Sequence, residues 1–330
     1  MTAPTILVTG ASGMLGGAVA TALRDRGATV RAFQRRPAGI DGVEDVTGSL
    51  VDAGDVRRAV HGADAVIHLA AKVSISGPEH EYRAINIEGT RHVLEALRAQ
   101  GGGALVNVSS PSVAHLGRAI VGADATAADP SAARGPYART KAAAELLAME
   151  ADGRDGLQVT SVRPHVVWGP GDTQLVGRIV DRARRGRLPL LDQGMALIDT
   201  TYVSNAADAI VAAHDRIADV HGESFVVSNG EPRTVRDVFA GWCDAAGVPR
   251  PRLRVPGAAA RVAGRLIERV WEARPGHDEP PMTEFLAEQM STAHWFDQRR
   301  TRERLRWEPA VSMDEGNARL AAWFREHPVG

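Results

Sequence analysis

The sequence predicts an α/β protein in which a doubly wound parallel sheet is followed by a smaller, mainly helical C-terminal subdomain. Three observations lead to this prediction. A strand, a glycine turn and a helix follow one another at the N-terminus. Strands and helices then alternate through the first half of the chain, which is typical of parallel sheets. From about Glu231 onward the residues follow a mainly helical pattern.

The first element, Thr5–Thr9, is a short apolar and β-branched run that is typical of a buried strand. A glycine triplet and a helical pattern follow it, which is the context that a dinucleotide-binding Rossmann fold requires. The first glycine permits the turn, the second lets a pyrophosphate approach the helix N-terminus, and the third lets the helix pack on the strand. We therefore expect cofactor contacts from Gly10, Ser12, Gly13, Met14, Leu15 and Gly16.

The end of the second predicted strand, residues 29–33, indicates which dinucleotide is bound. An acidic residue at this place would hydrogen-bond the ribose 2′-OH of NAD. The chain instead has Gln34, Arg35 and Arg36, and arginines there suit a 2′-phosphate. The prediction is therefore NADP, as NADPH, with Arg35 and Arg36 as ligands and NAD less favoured; the alternative is two solvated arginines in an Arg-rich chain.

The order of the remaining elements predicts how the chain is divided. Strands are expected at 65–69, 104–108 and 159–163, and helices at 81–100 and 134–150, with a long loop at 111–135. At Gly169 the pattern leaves the nucleotide-binding fold, and residues 200–217 resemble a return to it. We therefore predict a dinucleotide-binding domain at 1–168 with a return segment at about 200–228, and a substrate subdomain at 169–199 and 229–330.

The helix at 134–150 carries the pair from which we predict catalysis. Tyr137 is one of three tyrosines, and Lys141 is one of two lysines among 39 basic residues, the other being Lys72. Four residues apart on a helix, Tyr137 and Lys141 share one face. An ammonium beside a phenol favours the phenolate and lowers a pKa that is normally about 10, which makes a proton donor or acceptor for catalysis.

Composition narrows the remaining classes of function. A net charge of −1 indicates neither a nucleic-acid partner nor a polybasic membrane surface. The single cysteine, Cys243, leaves no internal disulfide and no cysteine metal cluster, and no metal is expected. A strand that begins at residue 5 leaves no room for a signal peptide, and no apolar run reaches the length of a membrane span. The expected location is the cytoplasm, without integral membrane association.

One amphipathic segment, residues 255–271, permits two interpretations. Arg261, Arg265 and Arg269 recur in it at i, i+4 spacing. Such a helix can lie on a membrane surface. A solvated helix face is the favoured interpretation.

Several motifs together resemble those of extended short-chain dehydrogenases/reductases, in the 3β-hydroxysteroid dehydrogenase-like branch. They cover nearly the whole chain in the expected order: Thr9-Gly10-x-x-Gly13-x-x-Gly16, His68-Leu69-Ala70-Ala71, Asn86-x-x-Gly89-Thr90, Ser109-Ser110, Tyr137-x-x-x-Lys141, Arg163-Pro164 and Trp168-Gly169-Pro170-Gly171-Asp172. More narrowly, the run from Arg163 to Asp172, with Asp199-Thr200-Thr201-Tyr202-Val203, resembles bacterial 2-alkyl-3-oxoalkanoate reductases, which act in long-chain olefin and β-lactone biosynthesis.

The resemblance implies a ketoreductase mechanism. Ser110, with Ser109 as the neighbour it could be confused with, would hydrogen-bond the substrate carbonyl. Tyr137 would donate the proton as hydride arrives from the nicotinamide, and Lys141 would lower the Tyr137 pKa and hold the nicotinamide ribose. The further cofactor contacts that it implies are Ser49, Leu50, Leu69, Ala70, Ala71, Lys72, Asn86, Pro164, Val166 and Val167, together with Tyr137 and Lys141.

Two departures from the family pattern concern residues outside this mechanism. Where the family often has Gly-Asp-Leu, the chain has Gly48-Ser49-Leu50, so that adenine would be held less tightly or by Asp52. Where the family usually has an acidic residue, the chain has Ser204. His165 is expected to line the pocket or to bond the loop that follows it.

The leading hypothesis is NADPH-dependent reduction of a 3-oxo group on a hydrophobic acyl substrate. A hydroxysteroid or sterol dehydrogenase would share every catalytic residue. A nucleotide-sugar epimerase or dehydratase would favour an acidic residue where Gln34, Arg35 and Arg36 stand. A non-catalytic NADP-sensing protein would not require Ser110, Tyr137 and Lys141 together. By analogy with the family, the expected partners are a homodimer or a complex of pathway enzymes.

Overall fold

A computed structural model describes residues 3–73, 77–114, 118–272 and 282–329 of the chain. The strands in this part of the chain are β1 Thr5–Thr9, β2 Thr29–Gln34, β3 Glu44–Thr47, β4 Ala65–His68, β5 Gly103–Val108, β6 Ile120–Ala123, β7 Leu157–Pro164, β8 Val167–Trp168, β9 Pro189–Leu191, β10 Leu197–Ile198, β11 Thr201–Tyr202, β12 Ser224–Val227, β13 Arg233–Thr234, β14 Leu253–Val255 and β15 His294–Phe296.

The α-helices described are α1 Met14–Asp25, α2 Ala53–Val60, α3 Glu79–Tyr82, α4 Gly89–Ala99, α5 Gly135–Glu150, α6 Val176–Arg184, α7 Val203–Asp215, α8 Ile217–Val220, α9 Val235–Ala245, α10 Gly257–Glu272, α11 Glu284–Ser291, α12 Arg299–Leu305 and α13 Met313–Glu326. The helix predicted at 81–100 is divided, because residues Arg83–Glu88 form a π-helical turn between α3 and α4.

Seven parallel strands form the main sheet, in the order β3-β2-β1-β4-β5-β7-β12. The chain moves outward from β1 to β3 and then returns to β4 on the other side of β1. This reversal is the topological switch point, where open α/β sheets bind ligands beyond the carboxyl ends of their strands. The predicted doubly wound parallel sheet is confirmed.

Apolar side chains cover both faces of this sheet, as its continuous apolar strands require. On one face Val8 and Val106 pack in a cluster with Val19 of α1 and Ile210 of α7. On the opposite face Leu105 packs in a separate cluster with residues of α2, α4 and α5. Helices on both faces place the glycine turn and the start of α5 at the same edge of the sheet.

Short strands outside the main sheet were the least predictable part of the fold. β13, β10, β15 and β6 form a second sheet, β8 pairs with β11, and β9 pairs with β14. Residues 111–135, predicted as a loop, therefore contain β6, which is held by its pairing with β15. The strand predicted at 200–203 lies beside β8, because β12 occupies the place next to β7.

A group of four buried polar residues, here called the junction cluster, joins the main sheet to the C-terminal helices. It consists of Asp199, Asn205, Ser228 and Asn229. The Asp199 carboxylate accepts hydrogen bonds from the Ser228 hydroxyl at 2.6 Å and from two backbone amides. Asn205 bonds Asn229 at 2.9 Å and both the N–H and the C=O of Val311. These contacts fix the end of β12 against the segment that precedes α13.

A buried ion pair holds α5 to the main sheet. Arg163 of β7 lies 2.5 Å from the Glu145 carboxylate of α5, and both side chains are about 2% exposed. The Ser224 hydroxyl of β12 donates to the same carboxylate at 3.0 Å, and the Thr126 carbonyl accepts from Arg163 at 2.7 Å. The ion pair and the hydrogen bonds from four parts of the chain thus together offset the free energy needed to remove these charges from water.

Candidate active site

The turn between β1 and α1 has the shape that a dinucleotide requires. Gly10 has φ 79°, which favours glycine. A Cβ added at Gly16 would overlap the Gly10 carbonyl oxygen, so only glycine lets α1 pack this closely. A Cβ added at Gly13 would meet only that oxygen, at 3.5 Å, and would otherwise project into open space. Gly13 precedes the N-terminus of α1, with Ser12, Met14 and Leu15 beside it, so this space fits a pyrophosphate.

The arginines predicted to select NADP lie where an adenosine 2′-phosphate would be expected. Arg35 and Arg36 are exposed directly after β2, and within the described ranges neither forms an ion pair. Asp45 of β3 accepts hydrogen bonds from the Gln34 side chain at 3.0 Å and from the Ala38 amide at 2.7 Å. Sequence reasoning missed Asp45, although its place on the strand beside β2 was a usable signal. Asp45 holds the loop that carries both arginines.

The segment after β3 is held mainly through its backbone. The Ser49 amide donates to the Asp55 carboxylate at 2.9 Å, and the Leu50 carbonyl shares a hydrogen bond with His92 at 2.8 Å. Asp52, considered as an adenine ligand, accepts from the Asp55 amide and caps the N-terminus of α2. Its carboxylate therefore already has a structural role.

The segment after β4 is tied to the catalytic helix by Asn86. The Asn86 side chain accepts from the Lys72 amide at 2.7 Å and donates to the Thr140 hydroxyl at 3.0 Å. The Ala70 amide donates to the Thr9 hydroxyl at 3.1 Å, which links this segment, including Leu69 and Ala71, to β1. The Lys72 ammonium lies 2.8 Å from Glu81. In the described structure, the side chains of Asn86 and Lys72 therefore bond other residues of the protein, beside the place expected for the cofactor.

Ser110, Tyr137 and Lys141 come together at the carboxyl end of β5. The Ser110 side chain lies near enough to the Tyr137 phenol to oppose the rise of its pKa, and the Ser110 hydroxyl lies 2.9 Å from the Ser112 hydroxyl. Lys141 is 4% exposed, and its ammonium donates to the Val108 carbonyl at 2.7 Å. Pro136 and Gly135 start α5, so that Tyr137 lies in its first turn. The serine and tyrosine hydroxyls are placed to bond one carbonyl oxygen.

The electrostatics of this group depend mainly on burial. Burial raises the pKa of Tyr137, and only Ser110 acts in the opposite direction. The lowering of the Tyr137 pKa by Lys141 stays a prediction, because burial and Ser110 are the causes of the shift in the folded chain. Burial lowers the pKa of Lys141 to about 8, although Glu145 opposes this shift. The sequence showed the spacing of the two residues, but it could not show how deeply each is buried.

Two neighbours of the catalytic residues differ in their bonding. His68 shares hydrogen bonds with Thr9 at 2.8 Å and with Thr90 at 3.1 Å. Burial, assisted by the Lys141 charge, lowers the pKa of His68 to about 3, so His68 is a neutral structural link. The buried Ser109 hydroxyl has no hydrogen-bond partner among the described residues. Ser109 thus lies beside the reacting groups without a structural bond of its own.

The residues after β7 form a strained corner. Val166 has φ 47°, a conformation that a β-branched residue rarely adopts. Its carbonyl accepts from the Thr201 amide at 3.2 Å, which pairs this corner with β11. The preceding His165 shares a 2.5 Å hydrogen bond with the Asp199 carbonyl and packs on Phe296. Pro164, Val166 and Val167 therefore lie at the carboxyl edge of the sheet, as predicted, and His165 bonds the loop.

Two classes of feature are absent from the described part of the molecule. No group of His, Cys, Asp or Glu side chains within the described ranges has an arrangement suited to a metal ion. None of the helices placed in the structure combines the length and apolarity needed to cross a membrane.

Comparisons with known proteins agree with this geometry. Residues 6–228 match the sequence model of the NAD dependent epimerase/dehydratase family. The chain is 39% identical over 327 residues to the 2-alkyl-3-oxoalkanoate reductase of Stenotrophomonas maltophilia (strain K279a), which covers 96% of this chain and 98% of that protein. It is 32% identical over 300 residues to 3beta-hydroxysteroid-dehydrogenase/decarboxylase isoform 2 of Arabidopsis thaliana, covering 87% of this chain and 53% of that protein.

A solved structure extends the similarity to the whole fold. The crystal structure of gox2253 superposes with a TM-score of 0.80 at 26% identity and covers 99% of both chains. The predicted membership of the extended short-chain dehydrogenases/reductases is confirmed. The chain therefore belongs to the NAD dependent epimerase/dehydratase family, and it is an oxidoreductase of that family with relatives of the 3β-hydroxysteroid dehydrogenase type.

Proposed function

We propose that the protein uses NADPH to reduce a 2-alkyl-3-oxoalkanoate to the 2-alkyl-3-hydroxyalkanoate. The observation that carries this proposal is the grouping of Ser110, Tyr137 and Lys141 at the carboxyl end of β5, the edge of the sheet where cofactor is expected. Ser110 acts on the pKa of the Tyr137 phenol, and Lys141 is buried one helical turn away. The relative from Stenotrophomonas maltophilia, which bears the name of this activity, supports the substrate class.

The roles of the three residues follow from their bonding. A dinucleotide held by the turn between β1 and α1 would supply the hydride for the carbonyl carbon of the substrate. The Ser110 and Tyr137 hydroxyls donate hydrogen bonds to the carbonyl oxygen and stabilise the negative charge that develops on it. Tyr137 then transfers its proton to that oxygen. Because burial raises the Tyr137 pKa, the phenol is protonated at neutral pH, which suits the direction of reduction.

Lys141 has its effect after the proton leaves Tyr137. Lys141 is buried one turn along the same helix. It stabilises the tyrosinate that is formed, and it would hold the nicotinamide ribose. The Lys141 pKa is lowered to about 8 in the free enzyme. Because the pH dependence of kcat/KM reports pKa values of the free enzyme, we expect kcat/KM for reduction to fall above about pH 8.

The first experiment measures oxidation of NADPH with a 2-alkyl-3-oxoalkanoic acid and with a 3β-hydroxysteroid oxidised at C3. The proposal is supported if the wild-type enzyme reduces the acid and if Tyr137→Phe lowers this turnover by about 10²–10⁴-fold. Arg139→Ala, which changes a half-buried residue of the same helix that pairs with Glu79 at 3.0 Å, is the matched control. Turnover of the sterol alone would assign the steroid activity, and turnover unchanged in Tyr137→Phe would reject the proposed mechanism.

A second experiment tests the cofactor. Replacing Arg35 and Arg36 together by Ala should lower the preference for NADPH over NADH about ten- to hundredfold, because hydrogen bonds to a charged 2′-phosphate are lost. Arg31→Ala is the control, since Arg31 lies on β2 and pairs with Glu44 at 3.1 Å. An unchanged preference in the double variant would contradict the assignment of the 2′-phosphate site.

Three further expectations belong to the same hypothesis. Residues 1–168 with 200–228 would bind the dinucleotide, and residues 169–199 with 229–330 would bind the substrate. The enzyme would work in the cytoplasm. It would do so as a homodimer or in a complex with pathway enzymes, which the native mass of the purified protein would test.

A further inference from the structure

The outer face of α10 is apolar, although it faces solvent. Val262, Leu266 and Val270 are 59%, 56% and 55% exposed. Their spacing of four residues places them on one side of the helix. A helix on the surface of a globular protein normally directs its polar face outward. These three residues, here called the α10 stripe, therefore form a contiguous exposed patch of the kind that marks an interaction surface.

The inner face of α10 is already occupied by α11. Ala260 is buried, and a Cβ added at Gly264 would lie 2.6 Å from the Thr283 backbone. Arg265 pairs with Glu284 of α11 at 2.5 Å, and Arg261 donates to the Ser291 hydroxyl at 2.9 Å. The helix is thus fixed with its second apolar side outward, and the choice between a solvated face and a membrane surface stays a prediction.

Exposed arginines lie on α10 and on the segment that leads into it. Arg269 lies on α10, and Arg252 and Arg254 precede it; within the described ranges none of the three forms an ion pair, whereas Arg265 is paired with Glu284. Long arginine stems can cover apolar surface while their guanidinium groups reach outward to anions. The patch therefore has an apolar centre and unpaired basic residues near it, with Glu268 on the same helix.

We propose that the α10 stripe docks the protein on the surface of a bilayer that contains anionic lipids. Apolar side chains along one helix face insert at the boundary of headgroups and acyl chains, and basic residues beside them attract anionic headgroups. A second copy of this chain fits less well, because a symmetric contact would bring the exposed arginines of the two copies together. Docking at this surface does not depend on the reaction that the enzyme catalyses.

The position of α10 gives this docking a consequence for the active site. Glu288 of α11 pairs at 2.9 Å with Arg134, which caps the helix that carries Tyr137. The α10–α11 pair therefore lies between the proposed lipid surface and the catalytic helix. If the proposed function holds, a hydrophobic substrate would pass from the bilayer to the site along this pair.

Vesicle sedimentation tests the proposal with the complete chain. The protein should sediment with vesicles of phosphatidylcholine and phosphatidylglycerol, and much less with phosphatidylcholine alone. Leu266→Glu should lower the partition coefficient at least about tenfold, because a charge replaces apolar surface that would be buried in the bilayer. Arg254→Ala should lower it about fivefold. Val121→Glu is the matched control, since Val121 is 63% exposed on β6, away from α10.

The outcomes distinguish docking on lipid from self-association of the chain. All variants are first compared with wild type by circular dichroism and thermal unfolding. Absence of wild-type binding to anionic vesicles would overturn the proposal, and so would an equal loss in Val121→Glu. If Leu266→Glu instead lowered the native mass measured by ultracentrifugation, the α10 stripe would be a dimer interface and the lipid proposal would be rejected.

Discussion

Ser109 and Asp199 are both buried polar residues beside strand ends, but their side chains are bonded very differently. Both oxygens of the Asp199 carboxylate accept hydrogen bonds, and the whole junction cluster is satisfied in this way. The predicted catalytic group consists of Ser110, Tyr137 and Lys141, with Ser109 beside it. The Ser109 hydroxyl has no partner in the described part of the chain, and burial disfavours the charged forms of Tyr137 and Lys141.

This difference in hydrogen bonding distinguishes residues that stabilise the fold from residues that are available for catalysis. A buried network whose members are all bonded stabilises one arrangement of the chain. Groups that are buried with few hydrogen bonds keep their bonding capacity for something else, and such groups concentrate at functional sites. We therefore expect changes in the catalytic group to alter rates, and changes in the junction cluster to alter stability.

The largest expected effect is that of Lys141→Met. The change removes the cation that stabilises the tyrosinate, so kcat should fall at least about hundredfold. The free energy of unfolding should not fall, because a buried ammonium with a lowered pKa is also removed. Steady-state rates and chemical denaturation of one preparation measure both quantities. If Lys141→Met unfolded more easily but kept the kcat of wild type, the proposed difference between the two regions would be contradicted.

A comparable change in the junction cluster should affect stability alone. Asn205→Ala removes the bonds to Asn229 and Val311, which should lower the free energy of unfolding by about 2–3 kcal/mol. Below the unfolding transition, kcat and KM should equal those of wild type. A lower kcat without a loss of stability would show that the junction cluster takes part in catalysis.

Asp199 should make stability depend on pH in a direction that is unusual for a carboxylate. Burial raises its pKa from 3.8 to about 6, against the opposing hydrogen bond from Ser228. The folded chain thus keeps a proton that the unfolded chain releases, so this contribution is complete below about pH 4 and is lost as pH rises to about 6.

The variant Asp199→Asn should remove that dependence. Between about pH 4 and pH 7, wild type should lose about 2 kcal/mol of unfolding free energy relative to the variant. Urea denaturation of both proteins across this range measures the difference. Parallel curves would mean that the Asp199 carboxyl titrates normally in the folded protein.

The smallest expected effect is that of Ser109→Ala. Because the hydroxyl has no bond among the described residues, its removal should change the free energy of unfolding by less than about 0.5 kcal/mol. Ser110→Ala, its neighbour, should lower kcat about ten- to hundredfold by removing a hydrogen bond to the developing oxyanion. Equal kinetic effects at both positions would show that Ser109 also contacts substrate or cofactor.

Local rules were sufficient for the nucleotide-binding edge. Thr5–Thr9 is a strand with the bounds that were predicted, Gly10 makes the predicted turn and Gly16 allows the predicted close packing, while the role of Gly13 stays a prediction. Each of these inferences depends on residues that are near one another in the chain. The same is true of Tyr137 and Lys141, which share one face of α5 because they are one turn apart.

The remaining features depend on contacts between distant parts of the chain. β6 is a strand because it meets β15, and Asn205 is satisfied by Val311. Neither partner can be identified from local pattern alone. The direction of the Tyr137 pKa shift could not be predicted from the sequence either, because it depends on how much of the phenol the folded chain covers.

The pairing of β12 with β7 has a consequence for the order in which the chain folds during synthesis. Until Ser224 has left the ribosome, β7 is an edge strand, and the Glu145 carboxylate lacks one of its hydrogen bonds. Exposed edge strands are sites of misassociation. The first half of the chain carries nearly all of the residues predicted to bind the dinucleotide, but its sheet is completed only by a strand made much later. We therefore expect a nascent chain that stops after β7 to need a chaperone.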